Sequence, residues 1–144
     1  MENILVAITN FPVLYPIKVC IKSGDYLTAS TFLFVGLASF FSHLVENHKH
    51  DMPGILGISP ETSYLLNRLD VLGVCLVLAR VSYLYLSSIF LHLDLLALFL
   101  LSSCFNLLSE YSGTVKNRYI VLHSIWHISI FCLSGIFLNR MNNR

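Results

Sequence analysis

Charge is what this sequence has least of. Asp, Glu, Lys and Arg make up 12% of its 144 residues, where soluble domains carry roughly a quarter. So few charges cannot clothe a water-facing surface, which excludes an ordinary soluble domain. The net charge is +1, so there is no basic field for nucleic acid. The four cysteines, Cys20, Cys75, Cys104 and Cys132, lie in apolar stretches at wide spacing. With no CxxC pair, neither a thiolate metal motif nor a disulfide framework is visible, and they read as small packing residues. Internal repeats, low-complexity tracts and Asn-x-Ser/Thr sequons are also missing. What remains is apolar: 56% of residues are hydrophobic and the mean hydropathy is +0.72. Those values imply an integral, multi-pass membrane protein, with a length that allows one domain over residues 1–144.

Five apolar segments emerge, at roughly residues 4–20, 27–44, 64–81, 89–108 and 119–138, each close to the length a spanning helix requires. The expected fold is therefore an all-α polytopic bundle of about five transmembrane helices. The third segment is short and carries charges. Pro12 and Pro16 should kink the first, which reads as a retained helix because it lacks a positive n-region and a small-residue cleavage site. Connections are short at 22–25, 82–88 and 109–118; the longer one, 45–63, holds Pro53, Gly54, Gly57 and Pro60. With five spans, one face holds Lys49, Arg68, Lys116 and Arg118, the other Lys18, Lys22, Arg80, Arg140 and Arg144. That count weakly favours a cytoplasmic carboxyl terminus.

Ionisable groups inside spans are costly and mark functional candidates. The fifth segment contains His123-Ser-Ile-Trp-His127, two imidazoles four residues apart on one helix face and able to reach one metal ion. Ser39-Phe-Phe-Ser-His43 closes the second segment, again with a hydroxyl and an imidazole four apart, and Asp70 lies early in the third. Because the second helix ends where the third and fifth begin, His43, Asp70, His123 and His127 should lie near one bilayer face, within a turn or two of its boundary. Three imidazoles with one open position is the ligand count of a catalytic zinc site, with a carboxylate and a hydroxyl nearby to hold its water. The same residues also suit interfacial side chains snorkelling to the headgroups.

HSIWH at 123–127, SFFSH at 39–43, DVLG at 70–73 and DMPG at 51–54 resemble, in pattern and order, the myomaker-like (transmembrane protein 8) family of seven-helix proteins. That family includes a GPI-processing phospholipase and belongs to the superfamily of alkaline ceramidases and progestin and adipoQ receptors. The resemblance spans about two-thirds of the chain, which would be a shortened version of the seven-helix fold. It implies zinc on His43, His123 and His127, with Asp70 and Ser39 holding the attacking water, and hydrolysis of a membrane lipid amide or ester. The alternative function is a non-enzymatic membrane factor, in fusion or lipid organisation, with a structural or vestigial metal.

Two features depart from that pattern. Only one helix fits between Val81 and the loop before the HxxxH segment, leaving the wall of a lipid pocket incomplete. The expectation is that the fourth helix shifts to cover the site or that a homo-oligomer closes it, with Ser102, Ser103 and Cys104 as a small-residue surface. The loop after His43 also carries Glu46, His48, Lys49 and His50; a solvated loop is expected, with His48 and His50 as alternative ligands. His92 and Asp94 fall at the far end of the fourth helix, outside the site, and Arg80 is placed to reach Asp94 or the headgroups. Trp126 fits interfacial or helix packing.

Overall fold

The protein is described by a computed structural model covering residues 1–55, 57–111 and 115–143. Arg144, used in the orientation count, and 112–114 of the 109–118 connection lie outside the described residues. Every regular element among them is helical: α1 (Glu2–Ile8), a 3-10 turn (Phe11–Val13), α2 (Leu14–Lys22), α3 (Tyr26–Val45), α4 (Pro60–Ile89), α5 (Leu93–Tyr111) and α6 (Lys116–Asn142). Among the described residues, α1 and α2 together, and each of α3 to α6, are long and apolar enough to cross a membrane.

The ends follow from local chemistry. Asp25 caps α3 by accepting from the Thr28 amide at 3.1 Å, and Ser59 caps α4 by accepting from the Thr62 amide at 3.3 Å, with Pro60 at the first helical position. The third segment is a 30-residue helix, much longer than 64–81. Residues 82–88, expected as a connection, continue α4, since Ser and Tyr there contain no Gly or Pro to stop it. Consequently α5 begins at Leu93, later than 89. The first span is interrupted at Thr9–Val13, where Pro12 withholds a backbone donor.

The elements pack as an up-and-down bundle in which α3 lies against α4, α5 against α6, and α1 and α2 against α3 and α6. Two glycines permit close approaches between helices. A Cβ on Gly73 would lie 2.9 Å from the Val35 Cα, and one on Gly135 would lie 2.3 Å from the Tyr15 ring. Small residues commonly let membrane helices meet this way. Outward positions such as Leu33, Leu37, Leu72, Leu76, Leu100 and Ile128 stay exposed and apolar, the surface a bilayer accepts and water does not. The start of α1, the end of α3, the start of α4, the end of α5 and the start of α6 meet at one end of the bundle.

Candidate metal centre

At that end α3 supplies His43 and α6 supplies His123 and His127, all at most 4% exposed. One nitrogen of each lies within 4.8 Å of the others, and the His43 and His123 Nε2 atoms are 3.2 Å apart. Four-residue spacing stacks His123 and His127 on one stripe of α6, and that stripe continues backwards to Tyr119.

Outer hydrogen bonds assign the imidazole protons. Thr9 Oγ1 donates its single proton to the Val6 carbonyl at 2.6 Å. It can therefore only accept from His127 Nδ1–H, 3.0 Å away. Ser109 Oγ likewise donates to the Asn106 carbonyl at 2.7 Å and accepts from His123 Nδ1–H at 3.0 Å. Glu46 Oε2 accepts from His43 Nδ1–H at 2.9 Å. All three rings thus carry a proton on Nδ1 and turn Nε2 inward. Facing nitrogens 3.2 Å apart repel unless a cation or an added proton lies between them. Tetrahedral zinc with bonds of about 2.1 Å sets its nitrogens about 3.4 Å apart, so the donors suit a metal ion.

Asp70 and Ser39 flank the triad. Asp70 Oδ2 lies 3.8 Å from His43 Nε2, Ser39 Oγ lies 3.4 Å from His127 Nε2, and the Ser39 hydroxyl faces the Asp70 carboxyl. Asp70 sits about three turns into α4, because that helix begins at Pro60. The space above is roofed by the loop after α3.

That roof is where the structure departs most from the sequence reading. Glu46 is 0% exposed and Met52 is 3% exposed, so the loop is docked rather than solvated. Glu46 accepts from Tyr119 Oη at 2.7 and 3.0 Å and faces Lys49 Nζ at 3.5 Å. Burial alone would raise its carboxyl, but the hydrogen bond from His43, the Lys49 charge and the Tyr119 hydroxyl outweigh burial and hold it below the ordinary carboxylate range. Asn3 ties the roof to α1 by donating to the His43 and Glu46 carbonyls at 2.8 and 2.9 Å. Lys49 reaches across to Glu110 at 2.9 Å. Neither loop histidine joins the cluster: His48 pairs with Ser63, and His50 stacks on Tyr119 with ring centres 4.0 Å apart.

Below the triad an apolar cavity of about 250 Å³ begins at Ser39, Asp70 and His127 and runs to Val81, Phe137 and Leu138. Along α6 this is 11 residues, about 16 Å of helix. Phe99, Ser103 and Asn106 of α5 form part of its wall, so the fourth long helix contributes to the enclosure of the site. Ser102, expected on a surface for a second copy, instead meets Ser129 of α6 at 2.6 Å. Trp126 packs against both His123 and His127 and also lines the cavity. At the opposite end Arg80 pairs with Asp25 at 3.1 Å rather than with Asp94, which pairs with Arg140 at 2.7 Å.

The sequence reading missed Glu46, Tyr119, Thr9 and Ser109. Two had a signal: Glu46 follows His43 by three residues, and Tyr119 precedes His123 by four. Thr9 and Ser109 reach their histidines only through packing between helices.

No family model matches the chain, and no solved structure matches it. It is 43% identical over 152 residues to the uncharacterized protein L282 of Acanthamoeba polyphaga mimivirus, an alignment covering 98% of this chain and 99% of that relative. A likeness of that extent, end to end, means that the chain belongs to the family of mimivirus protein L282.

Proposed function

We propose that this chain is a zinc-dependent hydrolase that works within the membrane on a lipid amide or ester. The observation that carries the reading is a triad of imidazoles with inward Nε2 atoms, placed where an apolar cavity meets Asp70 and Ser39. His43, His123 and His127 would hold the zinc, which supplies a Lewis acid able to lower the pKa of a bound water to about 7. Asp70 is placed to take the proton that water loses on attacking the scissile carbonyl, and to return it to the departing amine or alcohol. The Ser39 hydroxyl, between Asp70 and His127, orients the water. Apolar side chains from Phe32 to Leu138 hold the acyl chain and keep bulk water from the bond.

Access is from the bilayer. The loop after α3 closes the aqueous side with Glu46, Met52 and the Lys49–Glu110 pair, while the cavity runs away from it through apolar surface. The resemblance to the myomaker-like family points the same way. A structural metal site would be closed by four protein ligands; among the described residues the cluster has three, which favours the enzyme over the scaffold reading.

The test is turnover of fluorescent N-acyl and O-acyl lipids by zinc-loaded protein in mixed micelles, beside Asp70→Asn. The expected result is hydrolysis by the wild type and none by the variant, with equal zinc in both. Equal turnover by both proteins would overturn the assignment of Asp70, and an inert wild type carrying full zinc would favour the scaffold.

A further inference from the structure

The three candidate ligands are held differently. His127 and His123 donate Nδ1–H to neutral hydroxyls, Thr9 and Ser109. His43 alone donates to a carboxylate, that of Glu46. We propose that Glu46 is a positioning residue and counter-charge for the metal, fixing His43 in its ligating tautomer and making it the most strongly donating of the three imidazoles. The inference rests on the metal reading above and extends it to the loop that roofs the site.

Charge and geometry carry it. Glu46 is fully buried, a costly place for a carboxylate unless several donors face it. Those donors are present: His43 Nδ1–H at 2.9 Å, Tyr119 O–H at 2.7 and 3.0 Å, and Lys49 Nζ at 3.5 Å. Tyr119 is itself 0% exposed and lies on the α6 stripe that bears His123 and His127. One helix therefore supplies two of the ligands and the hydroxyl that holds the third ligand's carboxylate. Three neutral imidazoles bring no charge to a divalent cation, and the Glu46 carboxylate, hydrogen-bonded to His43, lies close enough to supply a counter-charge. A carboxylate behind a metal-bound histidine raises its basicity, and losing such a partner typically weakens metal binding about 10–100-fold.

The experiment measures zinc affinity of detergent-purified protein by chelator competition, without substrate, for wild type, Glu46→Gln, Tyr119→Phe and His43→Ala. Glutamine keeps an acceptor for His43 and removes the charge. Expected are a 10–100-fold weaker affinity for E46Q, a smaller loss for Y119F, and no tight site in H43A. In nitrogen-15 spectra of the metal-free protein, the His43 Nδ1 proton should lie furthest downfield of the three and move upfield in E46Q, a change that general loosening would not produce. If H43A binds zinc like the wild type, the metal reading fails. If H43A has lost zinc while E46Q stays within about twofold of wild type, the role of Glu46 fails and the metal reading stands. Should E46Q not fold, Y119F decides alone, and an unchanged affinity there overturns the proposal.

Discussion

The two ends of this bundle treat polar groups in opposite ways. At the end where α3 finishes, His43, His123, His127, Glu46, Ser109 and Asn3 are almost wholly buried, and each hydrogen bonds to a neighbour in the same network. At the other end Asp94 and Arg140 pair at the surface, and Asp25 and Arg80 form a partly exposed pair. Exposed pairs contribute little, because water and headgroups replace a lost partner. Buried networks behave otherwise, since removing one member strands the rest without solvent. Polar groups concentrated at the costly end, and arranged to turn three Nε2 atoms inward, form a cluster that could hold a cation, an arrangement interfacial anchoring does not require.

Mutations should break that contrast in a definite order. The largest effect is expected from His123→Ala, which removes a ligand and should weaken zinc binding by more than about 100-fold, read by metal content after dialysis. Asp70→Asn comes next, with turnover reduced about 10²–10⁴-fold while zinc stays bound, read by lipid hydrolysis beside metal content. Gly135→Ala tests packing away from both ends: its Cβ would overlap the Tyr15 ring, and a loss of about 1–3 kcal/mol is expected in a thermal or denaturant melt in detergent.

The smallest change belongs to the exposed end. Arg80→Ala should cost no more than about 1 kcal/mol after solvent screening, by the same melt. Asp25 sharpens this by pH. Burial opposes the shift, but the Thr28 hydrogen bonds and Arg80 hold the Asp25 carboxyl below its ordinary range. Its contribution is therefore present above the unfolded value of about 3.9 and is lost as pH falls through the lowered one. The Arg80→Ala deficit should be constant from neutral pH to about pH 5 and shrink only in stronger acid. A deficit as large as that of His123→Ala would erase the distinction between the two ends.

Legibility divides along a physical line. Whatever is encoded within one helix could be read: the His123–His127 stripe, the Ser39–His43 spacing and the apolar spans. Parity of the spans placed His43, Asp70, His123 and His127 at one end, because an up-and-down bundle returns alternate helix ends to the same side. Contacts between helices were not legible, since Thr9 and His127 are 118 residues apart and only packing of the broken first span against α6 brings them together. The loop after His43 misled for a related reason. Its Glu, His and Lys residues look solvated in sequence, yet Glu46 is buried because His43, Tyr119 and Lys49 surround it. The length of α4 was misread where Ser82, Tyr83, Tyr85 and Ser87 interrupt the apolar pattern without interrupting the helix.

The most direct test of the account is the metal itself. Protein purified in mild detergent, without added metal or chelator, should carry close to one zinc per chain by elemental mass spectrometry, and His43→Ala, His123→Ala and His127→Ala prepared in parallel should each carry almost none. Equal zinc in the wild type and all three variants, or none in any preparation even after zinc is supplied, would contradict it.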